Sequence, residues 1–521
     1  MGRDRRFLPT APCVFAWTTP VEKCKLERRS AHARHARARA SEAAGARATP
    51  LPVNVDHARW LSRWARSADS QTHSLALSPL THCAFSPEKR LSSRAPANVD
   101  TVSLDRVLDM SQPTISILGG GVSGITTGIV VALLGGRPHL YTARRADHAM
   151  GGHHPQMASL YPAASVLPHR VTVDDVAAHM RDTQACFEVL RQSGTCGVRT
   201  QRHYELFESD AAPEPAYLST LQHVERISAN GTSPPDAPCR PNASSLSGWR
   251  CRIYVAETPT YLPRLYALYR ALGGIVHAVH LTRAALPDLP GAAFVNALGV
   301  GSRDVFPDDR PAQFLRGCLV YAPPQPTARF PGASVPLASY NYTPTPDVYP
   351  THAGSPGGLY FYPRLDAWVL GGSARPGQCT NAGEWTGPPP KAPTTVVDGH
   401  RLPRAVVDVN ASILAAWTGV DVRSQPLRAT YGIRYVRDPD DEGLCLAPDT
   451  VDGRLLVHNH GHGGAGVTLS WSSALRVARH LCTQEVLSTG VSSLPSMQPE
   501  ADRVLLASLQ AMVRHRLSLE K

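Results

Sequence analysis

Two glycine clusters carry the chemistry most readily seen in this chain. The first is Gly119-x-Gly121-x-x-Gly124, with Val122 and Ser123 inside it. In such a turn the first glycine permits a tight bend, the second lets a diphosphate approach the backbone, and the third lets a helix cross a strand closely. The helix that follows would present unpaired N–H groups and a favourable dipole to the phosphates. The second cluster is His458-Asn459-His460-Gly461-His462-Gly463-Gly464-Ala465-Gly466-Val467-Thr468. Backbone N–H groups at a bend of this kind can hold the electron-rich end of an isoalloxazine ring, where negative charge develops on reduction. Three alternating histidines raise a metal reading, but no Cys or carboxylate stands near them in sequence, so no metal is expected.

These residues need particular elements to position them. Thr114-Ile-Ser-Ile-Leu118 reads as a strand, Val122 to Leu134 as a helix stopped by Gly135, Gly136 and Pro138, and His139 to Thr142 as a second strand. That is a βαβ unit, with the first glycine cluster at its strand-to-helix turn. The second strand ends Tyr141-Thr142-Ala143-Arg144-Arg145, without the acid that would grip a ribose hydroxyl. An arginine there suits a 2′-phosphate, but the late cluster points to a flavin instead. Further along, the spacing predicts helices over 175–192, 260–273, 405–417 and 469–481. It predicts strands over 275–279, 292–298, 431–436 and 455–457, and paired strands at 359–361 and 368–370. The stretch 323–350 reads as irregular, and 228–248 as a surface loop.

Ile117-Leu118-Gly119-Gly120-Gly121-Val122-Ser123-Gly124 early, with His458-Asn459-His460-Gly461-His462-Gly463-Gly464 late, resembles the D-amino-acid oxidases. These are flavin enzymes of the wider glycine-oxidase and sarcosine-oxidase superfamily, and the resemblance spans about residues 114–482. Phe294 to Val300 resembles the family's flavin-domain strand and Asn-x-x-Gly turn, ending at Gly299. Leu315-Arg316-Gly317-Cys318 resembles its Arg-Gly-Gln, with cysteine in place of glutamine. Tyr431-Gly432-Ile433-Arg434-Tyr435-Val436-Arg437 resembles Gly-x-Arg-Pro-x-Arg, whose first arginine grips the substrate carboxylate. A guanidinium fork suits that task because it binds bidentately and stays charged. Arg437 is read as a structural ion pair. Tyr360-Phe361-Tyr362-Pro363 resembles Tyr-Ile-Ile-Pro, whose leading tyrosine donates to the carboxylate; Tyr362, on the same strand face, is the fallback.

The resemblance implies FAD as cofactor and oxidative deamination of D-amino acids, with O2 as co-substrate and 2-oxo acid, ammonia and hydrogen peroxide as products. Arg434, Tyr360 and Gly464 are the expected catalytic set. FAD contacts are expected from Gly119, Gly121, Val122, Ser123 and Gly124, and from Ser159 and Leu160 in a loop after the second strand. Gly299, Gly461 and Gly463 add to them, as does the run Gly464, Ala465, Gly466, Val467 and Thr468, whose hydroxyl would face the reduced ring. Tyr340, Tyr342 and Tyr349 are candidates for a lid. The implied fold is α/β: a discontinuous Rossmann-like FAD domain (112–172, 255–302, 420–485) and an α+β substrate domain (173–254, 303–419) on a mixed, largely antiparallel sheet. Residues 486–521 are left as a tail. Alternatives are glycine, sarcosine or D-aspartate oxidation, the last with Arg364 pairing a side-chain carboxylate, or flavin binding without oxidase activity.

Composition sets the bounds. With 521 residues, 42% apolar and 18% charged, the chain is neither coiled coil, collagen-like nor wholly disordered. No run of about 18 apolar residues suggests a membrane span. Residues 1–100 hold 17 Lys and Arg against 8 Asp and Glu, so nine of the net +11 charges lie there. The basic pI therefore gives the body no nucleic-acid role. Residues 1–110 read as a disordered basic extension or an organelle leader, although Asp4, Glu22, Glu27 and Glu42 make it more acidic than a mitochondrial one. The terminal Leu519-Glu520-Lys521 is not the peroxisomal Ser-Lys-Leu, which leaves cytoplasm or an organelle. Eleven scattered cysteines without a CxxC pair read as reduced thiols. A homodimer is left open.

Overall fold

The computed structural model describes residues 112–145 and, with short breaks, 154–519. The basic extension expected over 1–110 lies outside the described residues, as do parts of 228–248 and 323–350. The expected strand–turn–helix–strand opens the fold as β1 (Thr114–Leu118), α1 (Val122–Leu133) and β2 (Arg137–Thr142). α2 (Val176–Gln192) precedes β3 (Val198–Phe207), β4 (Gln222–Ile227) and β5 (Ser247–Ala256). α3 (Thr258–Ala271), β6 (Ile275–Ala278) and β7 (Ala293–Asn296) follow. Then come β8 (Ala312–Ala322), β9 (Ser339–Thr343), β10 (Leu359–Pro363), β11 (Trp368–Gly371), β12 (Arg375–Cys379) and β13 (Trp385–Thr386). The hairpin β14 (Thr394–Val397) and β15 (His400–Pro403) leads into α4 (Arg404–Thr418). β16 (Arg428–Arg437), β17 (Pro448–Val451), β18 (Arg454–His458), α5 (Gly466–Thr483) and α6 (Glu500–Ser518) close the chain.

The first sheet runs β17-β18-β7-β1-β2-β6, parallel throughout except at the β17–β18 edge. Its central strand β1 is buried on both faces, which explains its unbroken apolar run. α1 is apolar on nearly every side because β1, α3 and α5 enclose it. Small residues let these helices approach. Thr126 donates to the Ser470 carbonyl at 3.1 Å, and the Tyr266 hydroxyl of α3 reaches the Gly120 carbonyl at 2.6 Å.

The second sheet runs β13-β12-β8-β11-β10-β9-β3-β5-β4, with β16 also paired to β8. It is antiparallel apart from the β3–β9 pair. Thus the α/β class with a mixed, largely antiparallel second sheet is what the structure has. One face of this sheet packs on α4 through Phe361, Trp368, Val406, Ile413 and Trp417. Its other face looks toward the first sheet's loops. The stretch 323–350, expected to be irregular, contains β9, and the tail over 486–521 contains α6.

Candidate active site

The site begins at the carboxyl ends of three adjacent parallel strands, β18, β7 and β1. Register places His458 beside Asn296, and Asn296 beside Leu118, so the loops leaving these strands must meet. They do: the Ser123 hydroxyl lies 3.5 Å from His462, and the backbone at Gly466 approaches the Val122 side chain. Asn296 ties them together, donating to Ser302 at 2.8 Å and to His458 Nδ1 at 3.0 Å, and accepting from the Leu298 N–H. The two glycine clusters, more than 330 residues apart, therefore share one site.

The glycines of the first turn are there for space. A Cβ on Gly119, at φ +112, would overlap the Ala297 carbonyl, and one on Gly124 would overlap the Gly119 carbonyl. Gly121 is different: a Cβ there meets nothing nearer than the Ser159 hydroxyl, 3.2 Å away. Its open side faces the cavity, as a backbone that approaches a ligand requires. Ser159 lines the same cavity and accepts the Val122 N–H at 2.9 Å.

The second sheet supplies the opposite wall. Across its strands the register pairs Glu205 with Asn341, Asn341 with Tyr360, Tyr360 with Gly371, and Gly371 with Leu319; Gly317 pairs with Gly432. Side chains alternate along strands, so these residues and Arg434 all lie on one face. Two glycines clear room for the larger groups. A Cβ on Gly317 would stand 2.7 Å from Arg434 Nη1, and one on Gly371 would overlap the Tyr360 ring. The Arg434 guanidinium lies beside the Tyr360 hydroxyl and reaches the Ser373 carbonyl at 3.5 Å. Burial pushes the Tyr360 pKa up, against the opposing pull of Arg434 and Arg170, so its phenol stays protonated and able to donate.

Both walls enclose one cavity of about 500 Å³. It runs from Gly119–Ser123, Thr142–Arg144 and Gly299–Gly301 to His462–Gly464, Gly466–Thr468, Tyr360 and Arg434. Several sequence expectations are corrected here. Leu160 does not line the cavity: in the 3-10 turn Ala158–Leu160 its side chain packs into two apolar clusters, and Met157 and Tyr161 face the cavity instead. Gly124 is likewise absent from the lining and serves the strand–helix crossing. Ala465 is buried against Leu444 and Leu469, and its N–H goes to the His462 carbonyl at 2.9 Å. The Gly464 N–H goes to the Arg170 carbonyl at 3.2 Å, and the Thr468 hydroxyl donates to Leu167 at 2.9 Å. The N–H groups of Gly466, Val467 and Thr468 form the first turn of α5, where no intrahelical acceptor exists, so they are the donors that face the cavity.

Other expectations resolve from partners. The Tyr362 hydroxyl donates to Asn341 at 2.9 Å, which leaves Tyr360 as the phenol directed at Arg434. Arg364 is held bidentately by Asp366 and contacts Thr258, outside the cavity, so it cannot meet a substrate's side chain. Arg437 is buried, donates to the Gly443 carbonyl at 3.4 Å and does not line the cavity. Tyr340 and Tyr342 are no lid: they lie in the core on β9, bonded to Asn410 and Glu208. Tyr349 adjoins Arg170 and Tyr360, its hydroxyl on the Gly372 carbonyl at 3.2 Å.

The fold also brings residues that sequence reading missed. His169 and Arg170 line the cavity beside Arg434, and burial keeps the His169 pKa low, so its ring is neutral and accepts from Asn341 at 3.0 Å. Burial opposes ionisation of Glu205, but bonds from His203 and Asn341 outweigh it and hold its pKa down. Cys445 meets His460 through an isolated β-bridge, so a thiol does approach the histidine run. The ligand atoms of Cys445, His458 and His460 lie within 4.8 Å of one another. Both His458 nitrogens already face partners, Asn296 at 3.0 Å and Asp449 at 3.6 Å.

The cradle fits FAD: two glycine bends, helix-end N–H groups of α1 and α5, and a cavity long enough to join them. It departs in one respect. Arg144, whose carbonyl accepts from Thr142, stands where an acid would hold a ribose. As a class, this is a dinucleotide cradle facing a guanidinium–phenol pair suited to a carboxylate.

No protein-family model matches the chain. Curated relatives do. The chain is 28% identical over 374 residues to a D-amino-acid oxidase of Streptomyces coelicolor, covering 70% of this chain and 95% of that protein. It is 25% identical over 365 residues to one of Rubrobacter xylanophilus, covering 70% and 94%. Among solved structures, the glycine oxidase of Geobacillus kaustophilus aligns at 15% identity and a TM-score of 0.48, covering 74% of this chain and 100% of that one. The chain is similar to these curated D-amino-acid oxidases, the family its motifs resemble.

Proposed function

We propose that the chain is an FAD-dependent oxidase that deaminates D-amino acids to 2-oxo acids, ammonia and hydrogen peroxide. One observation carries this: Arg434 and Tyr360, side by side, open onto the same cavity as both glycine bends. FAD, when bound, supplies a hydride acceptor that O2 regenerates. The residues of the chain bind and orient. Arg434 holds the substrate carboxylate through its charged fork, and Tyr360 donates its phenolic proton to the same group. With that end fixed, the α-carbon has one position and its C–H one direction. The two glycine bends would hold FAD where it could take up that hydrogen with its electron pair, the neutral amine's lone pair closing a C=N bond that water would hydrolyse. The N–H groups of Gly466 to Thr468, with the α5 dipole, stabilise negative charge at the far end of the cavity.

A site with one clamp and one accepting face distinguishes enantiomers, and the relatives' name favours D. The segment 420–485, set in the FAD domain from the sequence, is divided in this reading: β16, with Arg434, pairs with β8 of the second sheet and belongs to the clamp, while β18 and α5 belong to the cradle. Peroxide release with D-alanine but not L-alanine from the purified yellow protein tests the proposal; release with L-alanine alone, or a colourless protein that FAD does not bind, overturns it.

A further inference from the structure

Arg170 is the least expected residue of the site. Its φ of +53 places it in the left-handed region, which an L side chain adopts at a cost and which clusters at functional sites. The fold holds it there from one side: its carbonyl accepts the Gly464 N–H at 3.2 Å, and a Cβ on Gly463 would overlap that carbonyl. The backbone of Arg170 is therefore locked against the late glycine bend, and its side chain lines the cavity.

The charges around it do not balance. Arg434 repels it, and the hydroxyl groups of Tyr349 and Tyr360 are its other neighbours. Two carboxylates line the cavity. Glu205 is committed to Asn341 at 2.8 Å and faces His203 at 3.5 Å. Asp304 lies on the helical turn Ser302–Val305, at the end lined by Gly299–Gly301. Among the described residues Arg170 makes no ion pair with an acid. The substrate end of the cavity thus holds two guanidinium groups, of which a monocarboxylate satisfies one. The Arg170 side chain is exposed on the cavity wall and available to a ligand, so a ligand with two carboxylates engages both groups.

We infer that Arg170 binds the side-chain carboxylate of an acidic D-amino acid while Arg434 holds the α-carboxylate, which makes D-aspartate or D-glutamate the preferred substrate class. This rests on the oxidase reading above and narrows it. The role first given to Arg364 passes to Arg170, since Asp366 already occupies Arg364.

The test compares kcat/KM for D-aspartate, D-glutamate, D-asparagine and D-alanine in the full-length, FAD-loaded protein and in Arg170→Met and Arg170→Lys. The better acidic substrate should exceed D-asparagine by about tenfold or more, the scale of one charge-assisted hydrogen bond. In R170M that ratio should fall to about one, mainly through KM, and R170K should keep part of it. A wild-type preference for the neutral substrates, or a ratio that R170M leaves unmoved, overturns the assignment. A second readout needs no turnover. Malonate should raise the melting temperature of the wild-type protein more than propionate does, and R170M should abolish the difference. Equal effects of the two acids on both proteins count against Arg170 as a second anchor. If no D-amino acid is oxidised, the oxidase reading falls, and the malonate comparison still decides the dicarboxylate site.

Discussion

At the scale of the residue, the clamp depends as much on what is missing as on what is present. Arg434 reaches the cavity because Gly317, diagonally opposite on β8, has no side chain, and the Tyr360 ring lies over Gly371 for the same reason. Arg434→Ala should retain the yellow colour and lose ~100- to 1,000-fold in kcat/KM, the usual loss when one partner of an enclosed charged pair is removed. Gly317→Ala is the more discriminating variant. The atom its Cβ would meet is the end of a flexible side chain, so the fold should survive while the guanidinium shifts. We expect KM to rise by ~10-fold with an unchanged melting temperature, since a misplaced orienting group weakens binding without unfolding the sheet. Steady-state kinetics beside a thermal melt decides it; unchanged KM would mean that Arg434 works from another position.

At the scale of the element, the first turn separates two kinds of glycine. Gly124 faces backbone that cannot move, whereas Gly121 faces the cavity with an ordinary negative φ. Gly124→Ala should therefore destabilise even the cofactor-free protein, by ~1–3 kcal/mol as overpacking does. Gly121→Ala should leave that melt unchanged and weaken FAD binding alone. Similar melts for both cofactor-free variants would argue against the close strand–helix crossing. The same contrast explains what the sequence revealed. The βαβ unit, the β10–β11 pair and the helices α3, α4 and α5 were legible because glycines, turns and apolar periods are local signals. β3 and β5 were not, because β3 carries Arg199, Arg202 and Glu205 and takes its partner from about 50 residues away. Arg170 had no signal at all: its role comes from a left-handed backbone and a bond to Gly464, nearly 300 residues distant. Cys445 was invisible beside the histidines for the same reason, since a β-bridge and not spacing places it there.

At the scale of the whole molecule, two buried histidines and the last helix set the limits of stability. Burial, with Arg476 nearby, lowers the pKa of His179 to about 3, and burial lowers that of His462 to about 4. An unfolded chain takes up these protons near pH 6.5, so below that pH the unfolded state binds more of them and is favoured. Stability should be full above pH 6.5 and fall as the pH drops toward 4; urea midpoints should show this, and His179→Asn should have the shallower slope. α6 went unread because Arg, Gln and Ser interrupt its apolar residues, yet Leu505, Leu506, Leu509, Val513 and Leu517 are all buried. Its polar groups are also engaged: Gln510 donates to the Leu133 carbonyl at 2.8 Å, Asp502 pairs with Arg264, and Arg516 faces Asp182 at 3.6 Å. Removing residues 500–521 exposes apolar surface on α1 and α2 and strips Arg264 of its acid. At roughly 1.5–3 kcal/mol per buried Leu or Val, that loss rivals the net stability of an ordinary protein. The truncated chain should therefore aggregate or melt many degrees lower. Removing residues 1–98 should leave turnover and melting temperature as they were, because every described residue lining the cavity lies between Gly119 and Thr468. A stable, active protein without α6 would show that the core under it closes by other means, and lost turnover on the N-terminal deletion would place part of the working site outside the cavity.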